Sequence, residues 1–150
     1  MALGSFVAVG GPVRAGERWF RDPQHAVLFY EHGLFVTHVD GWLALGKDWD
    51  VAAEVLWIAA HSWLPDRIVA LHPENRLIPV TSVLEAHFRV NRLLLRDELA
   101  LTLEDGSRVK LNWSTIFRLG VLQDGAVVRF GYSQEKLLMR RVFGDRLSSN

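Results

Sequence analysis

The chain has 150 residues, of which 49% are hydrophobic and 23% are charged. This is the balance of an ordinary globular domain, which excludes a disordered or fibrous chain. Lysine plus arginine equals aspartate plus glutamate at 17 each, so the positive surplus on which nonspecific nucleic-acid binding depends is missing, and we expect no nucleic-acid partner. The absence of cysteine excludes disulfides, thiolate metal ligands and a thiol nucleophile.

The length indicates a single domain over residues 1–150, with both termini frayed. Met1 to Gly11 lacks the basic segment with which a signal peptide opens. The longest apolar run, Val51 to Leu64, is interrupted by Glu54 and is shorter than the about 20 residues that cross a bilayer. We therefore expect a cytoplasmic protein without a transmembrane helix.

The first predicted element is a β-hairpin. Its arms, Ala26 to Tyr30 and Leu34 to Val39, are rich in β-branched and aromatic residues. Gly33 lies between the arms and can take the positive φ that a three-residue hairpin loop requires. The pattern therefore predicts two antiparallel strands joined at residues 31–33.

The next predicted element is a helix over Val51 to Trp63. Its residues are mostly alanine, leucine and similar types, Asp48 or Asp50 can cap its first turn, and it ends before Pro65. Apolar side chains surround almost its whole circumference, whereas a sheet covers only one side of a helix. The other side is expected to meet a second element, a partner chain or a ligand.

Extended segments are predicted after this helix, with a turn at residues 72–75. They are Arg67 to Leu71, Arg76 to Val80 and Val83 to Val90. Pro79 confines the second segment to a sheet edge or a strand start, because proline has no N–H to donate.

The clearest hairpin pairs Glu98 to Glu104 with Ser107 to Trp113. Both arms alternate in polarity, and Asp105 and Gly106 supply the two positive-φ residues of a type I′ turn. The alternation places one group of side chains on a common face of each arm. These groups are Leu99, Leu101 and Leu103 on the first arm and Val109, Leu111 and Trp113 on the second.

The last predicted elements are a hairpin and a helix. Gly120 to Leu122 pairs with Ala126 to Phe130, and a helical turn over Ser114 to Leu119 is an alternative for the preceding residues. An amphipathic helix runs from Ser133, as its cap, to about Phe143 and is stopped by Gly144. This helix is expected to pack on the sheet.

Antiparallel strands followed by one closing amphipathic helix resemble the pleckstrin-homology-like (PH-like) barrel of GRAM and bacterial PH domains. Four segments resemble, more specifically, uncharacterised PH-like proteins of actinobacteria. They are VLFYEHGL from Val27 to Leu34, HPENRLIPV from His72 to Val80, LTLEDGSRVKLNWS from Leu101 to Ser114, and FGDRL from Phe143 to Leu147.

The resemblance implies a mostly β fold of the α+β class. We expect an antiparallel PH-like β-barrel with a C-terminal capping helix and an extra helix inserted between early strands. PH-like barrels bind phosphoinositides, peptides or protein surfaces. Phosphoinositide binding requires basic residues near the first hairpin, yet Glu31 and His32 occupy its tip and no lysine lies between Ala26 and Gly46, so membrane binding is not favoured.

No catalytic, cofactor-binding or metal-binding residues are expected. Six histidines occupy positions 25, 32, 38, 61, 72 and 87, but no pair has the spacing of a helical or zinc-finger site. The motif G-x-S-x-G is absent. Ser62 and His61 are adjacent in the predicted helix, where neighbouring side chains point about 100° apart, so they do not form a dyad.

The preferred hypothesis is a non-catalytic PH-like interaction or scaffolding module that self-associates or docks another protein through the inserted helix. The candidate contact residues are Val51, Val55, Leu56, Trp57, Ile58 and Trp63. In a second interpretation, Trp19, Phe20 and the N-terminal segment cover this helix within the chain. In a third, the protein is a small-ligand or lipid-binding domain, or a small enzyme, with a pocket between helix and sheet. That pocket is lined by Trp57, Trp63 and His61 or His87.

Overall fold

The computed structural model describes residues 3–15, 25–38, 57–58, 60–61, 65–70, 73–91, 93, 95–114, 120–123 and 126–149. Strands dominate these ranges. They are β1 (Phe6–Ala15), β2 (His25–Tyr30), β3 (Gly33–His38), β4 (Arg76–Pro79), β5 (Val83–Asn91), β6 (Arg96–Leu103), β7 (Arg108–Ser114), β8 (Gly120–Gln123), β9 (Ala126–Arg129) and β10 (Leu147–Ser149). The helices are α1 (Pro65–Val69) and α2 (Tyr132–Phe143), with 3₁₀ turns at Val80–Ser82 and Gly144–Arg146. Within these ranges, no helix combines the length and apolar content needed to span a bilayer.

The strands form one open sheet in the order β10-β5-β6-β7-β1-β2-β3-β4, with β8 between β1 and β9. All pairs are antiparallel except β10 with β5. No ladder joins β4 to β10 in the described part of the chain, so the predicted closed barrel is wrong. The strand pattern does not specify closure, because an open sheet and a barrel present the same alternation along each strand.

The long strand β1 joins two halves of the sheet. Its first part pairs with β2, and its last residues, Val13 to Ala15, pair with β7. The ladder with β2 has a register shift between Gly10 and Val13, where the strand passes from one half to the other. Such irregularities bend a strand and increase its twist.

Two hydrophobic cores lie on opposite faces of β2 and β3. The inner core joins residues of β2 to β4 with residues of β5 to β7 and α2, and the outer core covers the other face. Along β2, Val27 and Phe29 belong to the inner core, whereas Ala26, Leu28 and Tyr30 belong to the outer core. This strand reads as a continuous apolar run because it is buried on both faces.

The helix predicted over Val51 to Trp63 is not seen as an element of the described chain. Only four of its residues are described, and these four, Trp57, Ile58, Ala60 and His61, are helical. The remainder of the interval lies outside the described residues, as do the predicted covering residues Trp19 and Phe20. The prediction of an extra helix inserted between early strands is therefore wrong for the described part of the chain.

Helix α1 corrects the prediction that Arg67 to Leu71 is extended. The helix starts at Pro65 and has Asp66 in its first turn. Proline is favoured at the first position of a helix, and an acidic side chain there complements the helix dipole. Val69 packs on the outer core, so tertiary burial adds to these local signals.

The two best-defined hairpins are confirmed, but both turns differ from the prediction. Gly106 has φ +85°, whereas Asp105 has no positive φ, so the turn is not type I′. The N–H of Gly106 donates to the Leu103 carbonyl at 3.0 Å, as in a type I turn followed by a left-handed glycine. Gly33 likewise has no positive φ; a Cβ there would lie 2.7 Å from the Ile78 carbonyl oxygen, so close packing on β4 requires glycine.

The final elements follow the predicted order with two corrections. The hairpin β8–β9 is confirmed, while residues 115–119 lie outside the described chain. Helix α2 is capped at Gly131 rather than Ser133, and the Gly131 N–H donates to Gln134 Oε1 at 2.7 Å. Gly144 ends the helix with φ +55°, as predicted. The parallel strand β10, which the sequence analysis did not predict, then occupies the sheet edge beside β5.

Candidate functional site

Two of the six predicted contact residues lie in the described chain, and they differ in environment. Trp57 is partly buried and packs on the outer core, with its ring centroid 4.8 Å from that of Phe6. Ile58 is 55% exposed. The other four contact residues lie outside the described residues; these are Val51, Val55, Leu56 and Trp63.

An aromatic cluster anchors this segment to the sheet. The Phe6 ring lies 5.3 Å from Tyr30 and 5.2 Å from His61, measured between centroids. His61 Nδ1 is 2.9 Å from the Trp57 carbonyl oxygen, and Ala60 is 8% exposed. Burial raises the pKa of the Tyr30 hydroxyl above its usual value, because the buried environment favours the protonated form.

The structure separates the two histidines proposed as alternatives for a pocket. His61 contacts Trp57, with 5.1 Å between ring centroids. His87 lies instead on β5, where Nδ1 is 3.3 Å from the Ser148 hydroxyl of β10. Of the two histidines, the described contacts place His61 beside Trp57.

Cross-strand pairing brings together two histidines that the sequence analysis treated as isolated. His25 and His38 are opposite each other on β2 and β3, with 5.5 Å between ring centroids, and His38 Nε2 is 3.6 Å from Glu74 Oε2. The predicted three-residue loop at residues 31–33 would have paired His25 with Val39. The observed register pairs Tyr30 with Gly33 across a two-residue loop, and this places His25 opposite His38. Among the described residues, no group of three or more histidine, aspartate or glutamate side chains is arranged to hold a metal ion.

A buried carboxyl was also missed. Glu135 of α2 is fully buried, and Trp113 Nε1 of β7 donates to its Oε2 at 3.1 Å. The ring of Trp113 stacks on that of Phe88, with 6.2 Å between the ring centroids. These contacts fix α2 on the sheet, and their place inside the core indicates a structural role.

Two surface clefts carry charge. One, of about 510 Å³, lies between the β2–β3 turn and the end of α2, where Arg141 Nη2 is 3.4 Å from Glu31 Oε1. The other, of about 270 Å³, lies on the solvent-facing side of β5, β6 and β7 around Glu98. Glu98 Oε2 is 3.5 Å from Arg89 Nη2, and Glu98 Oε1 is 3.7 Å from Lys110 Nζ. In both clefts the measured acidic groups already lie near basic ones, so neither presents a clear excess of one charge.

Large apolar side chains are exposed at several separate places. Leu93 is 95% exposed and Leu95 is 57% exposed, both in the connection between β5 and β6. The others are Ile58, Leu84, Val128 and Leu137. The sequence signal for the first two was three consecutive leucines in a hairpin connection, where polar residues are usual.

Comparison with protein-family models gives no match, and comparison with curated proteins gives none. The resemblance to PH-like domains therefore stays a prediction.

Proposed function

We propose that the chain is a non-catalytic interaction module that associates with a second copy of itself, or docks another protein, through the surface around Ile58. One observation carries the proposal. Trp57 and Ala60 face the outer core, while Ile58, next to Trp57 in the chain, is 55% exposed. A cytoplasmic location is the expectation that accompanies this proposal.

The anchored neighbours make Ile58 a defined contact point. A single exposed apolar side chain is common on protein surfaces and does not by itself indicate a partner. Here the segment is held by a ring cluster with centroid separations of 4.8 Å for Phe6 with Trp57 and 5.2 Å for Phe6 with His61. A pre-positioned side chain loses little further freedom on association, which favours binding.

Self-association is the form of the proposal that can be tested with the purified protein alone. In a two-fold contact the same patch faces itself, so Ile58 of one copy meets the corresponding surface of the other. Burying an isoleucine side chain contributes about 1.5–3 kcal/mol. A lysine at this position removes that contribution and places like charges close together, so association is expected to weaken by well over tenfold.

Sedimentation velocity over a range of protein concentrations tests the proposal. The wild type is expected to shift from monomer towards dimer as concentration rises, whereas Ile58→Lys is expected to stay monomeric. The control is Leu137→Lys, because Leu137 is 60% exposed and lies on α2, whose buried side packs in the inner core, whereas Trp57 packs on the outer core. This control is expected to sediment like the wild type.

Two outcomes contradict self-association through the surface around Ile58. One is a wild type that stays monomeric at every concentration. The other is an Ile58→Lys variant that assembles as the wild type does. Because Ile58 is exposed, its replacement is expected to leave the thermal unfolding midpoint close to that of the wild type, which shows that any loss of assembly is not a loss of folding.

A further inference from the structure

The ends of β2 and β3 farthest from their connecting turn carry a pair of histidines. His25 and His38 are opposite each other in the ladder between these strands. The His38 N–H donates to Asn75 Oδ1 at 2.7 Å, which directs it away from β2 and makes the two histidines a pair without ladder hydrogen bonds. Opposing side chains lie closest in pairs of this kind, with the Cα atoms about 4.5 Å apart. The fold therefore holds together two imidazoles that lie far apart in the sequence.

The separation of the two rings suits a tetrahedral metal ion. The ring centroids are 5.5 Å apart and the ring planes are nearly perpendicular. A turn about the Cβ–Cγ bond, which is soft in histidine, moves the ring nitrogens but leaves the centroid almost in place. A zinc ion about 2.0–2.1 Å from a histidine nitrogen lies about 3.2 Å from the ring centroid, so two rings around a tetrahedral ion have centroids about 5.2 Å apart. At a right angle, as in square-planar or octahedral sites, the separation is about 4.5 Å, which is farther from the observed value.

Glu74 supplies a carboxylate beside this pair. Its Oε2 is 3.6 Å from His38 Nε2. Two ligand atoms on one tetrahedral zinc ion are about 3.3 Å apart, so this oxygen is within a small movement of a ligating position. The Glu74 side chain is 51% exposed and adjusts without displacing the core. The three side chains do not yet surround a common point, and a ring turn together with this movement brings them to one.

A buried asparagine fixes the turn that carries Glu74. Asn75 is 9% exposed, and its Oδ1 accepts the His38 N–H at 2.7 Å and the Thr37 hydroxyl at 3.2 Å. These bonds join the residue after Glu74 to the end of β3. The backbone positions of two of the three groups are therefore fixed relative to each other, and pre-positioned groups lose less freedom on binding. The His38 side chain is 21% exposed, so an ion from solvent can reach the pair.

The charges of the three groups favour a divalent cation. Two opposed imidazoles repel each other when both are protonated, and like charges directly opposite each other destabilise a sheet. Neutral imidazoles each have one acceptor nitrogen, and with a carboxylate they form the nitrogen and oxygen ligand set that zinc accepts. Zinc sites with two histidines and one glutamate keep the fourth position for water.

We propose that His25, His38 and Glu74 bind one Zn²⁺ ion, with water as the fourth ligand. The ion joins the ends of β2 and β3 to the turn before β4. An ion that binds the folded chain stabilises it, so the site acts as a clamp on this edge of the sheet. The inference is independent of the contact through Ile58.

Isothermal titration calorimetry of the full chain with zinc chloride tests the inference. The wild type is expected to bind one Zn²⁺ per chain at micromolar concentrations, and the ion is expected to raise its thermal unfolding midpoint. His25→Gln and His38→Gln are each expected to weaken binding by at least about tenfold, because each removes one of three protein ligands. Glu74→Gln is expected to weaken it by a smaller factor, since the amide keeps an oxygen but loses the negative charge.

The matched control is His32→Gln. His32 is exposed and lies in the turn of the same hairpin, so the control makes the same substitution outside the proposed site. This variant is expected to bind Zn²⁺ with the affinity of the wild type. Circular dichroism of each variant separates the loss of a ligand from a loss of folding.

Nitrogen NMR of the wild type provides a readout that does not depend on a folded variant. When Zn²⁺ is added, the imidazole nitrogen signals of His25 and His38 are expected to shift. The signals of the other four histidines are expected to stay in place.

Three results overturn the inference. The first is a folded His25→Gln or His38→Gln variant that binds Zn²⁺ as the wild type does. The second is a His32→Gln variant whose binding is weakened as much as that of the other two. The third is a wild type whose histidine signals all shift alike or do not shift, because the ion then binds adventitiously or not at all.

Discussion

Replacing Trp113 with phenylalanine tests how α2 is fixed to the sheet. Trp113 is fully buried, stacks on Phe88, and donates its indole N–H to Glu135 at 3.1 Å. The smaller ring leaves a cavity that costs about 1–2 kcal/mol. Loss of this hydrogen bond to a fully buried carboxyl costs a further about 1–3 kcal/mol. The expected loss in the free energy of unfolding is therefore roughly 2–5 kcal/mol.

Urea denaturation followed by circular dichroism measures this loss, and thermal unfolding is expected to show a midpoint roughly 5–15 °C lower. Glu135→Gln retains an oxygen that accepts the indole N–H, so its loss is expected to be smaller than that of Trp113→Phe. Leu137→Ala, on the exposed side of α2, is expected to change stability by less than about 0.5 kcal/mol. A Trp113→Phe variant within about 0.5 kcal/mol of the wild type refutes the reasoning.

The other predictions concern two glycines and a tyrosine. Gly106→Ala is expected to lower the free energy of unfolding by about 1 kcal/mol in urea titrations, because φ is +85° while the space around the new Cβ is open. Gly33→Ala is expected to cost more, since its Cβ would lie 2.7 Å from the Ile78 carbonyl oxygen; equal losses for the two variants contradict this distinction. The raised pKa of Tyr30 predicts how this group contributes to the free energy of unfolding. Its contribution is constant below the tyrosine reference value of 10.0 and falls as pH rises above it. Tyr30→Phe is expected to flatten that decline in alkaline thermal unfolding, and an unchanged decline argues against the assignment.

Local sequence signals were sufficient for the hairpins and for α2. Alternation predicted that Leu99 and Leu101 share a face of β6, and both lie in the inner core together with Leu111 of β7. Gly144 ends α2 through its positive φ, a backbone requirement that the residue type itself indicates. These features depend on neighbours within a few positions, which is the range over which pattern reasoning works.

Long-range pairing is what the sequence left unspecified. The short edge strand β10 pairs in parallel with β5, with Leu147 opposite Ala86, 61 positions earlier, and no local pattern indicates such a partner. The chemistry of Pro65 and Asp66 favoured α1 over the strand suggested by the β-branched residues after them. Whether the sheet closes depends on strand register and bending, which alternation does not encode.

The candidate surfaces were predicted only in part. The apolar character around Ile58 was visible in the sequence, but the inward orientation of Trp57 depends on its contact with Phe6, more than 50 positions earlier in the sequence. The exposed Leu93 and Leu95 had a local signal, since three consecutive leucines lie between two predicted strands. Their exposure and the positive φ of Leu95 are properties of the folded chain.

Cysteine crosslinking at position 58 tests the proposed contact most directly, because the natural chain contains no cysteine to compete. If two copies meet through a two-fold surface centred on Ile58, Ile58→Cys forms a disulfide-linked dimer under mild oxidation, whereas Leu137→Cys stays monomeric under the same conditions. Absence of the crosslink at position 58, or equal crosslinking at both positions, contradicts self-association through this surface.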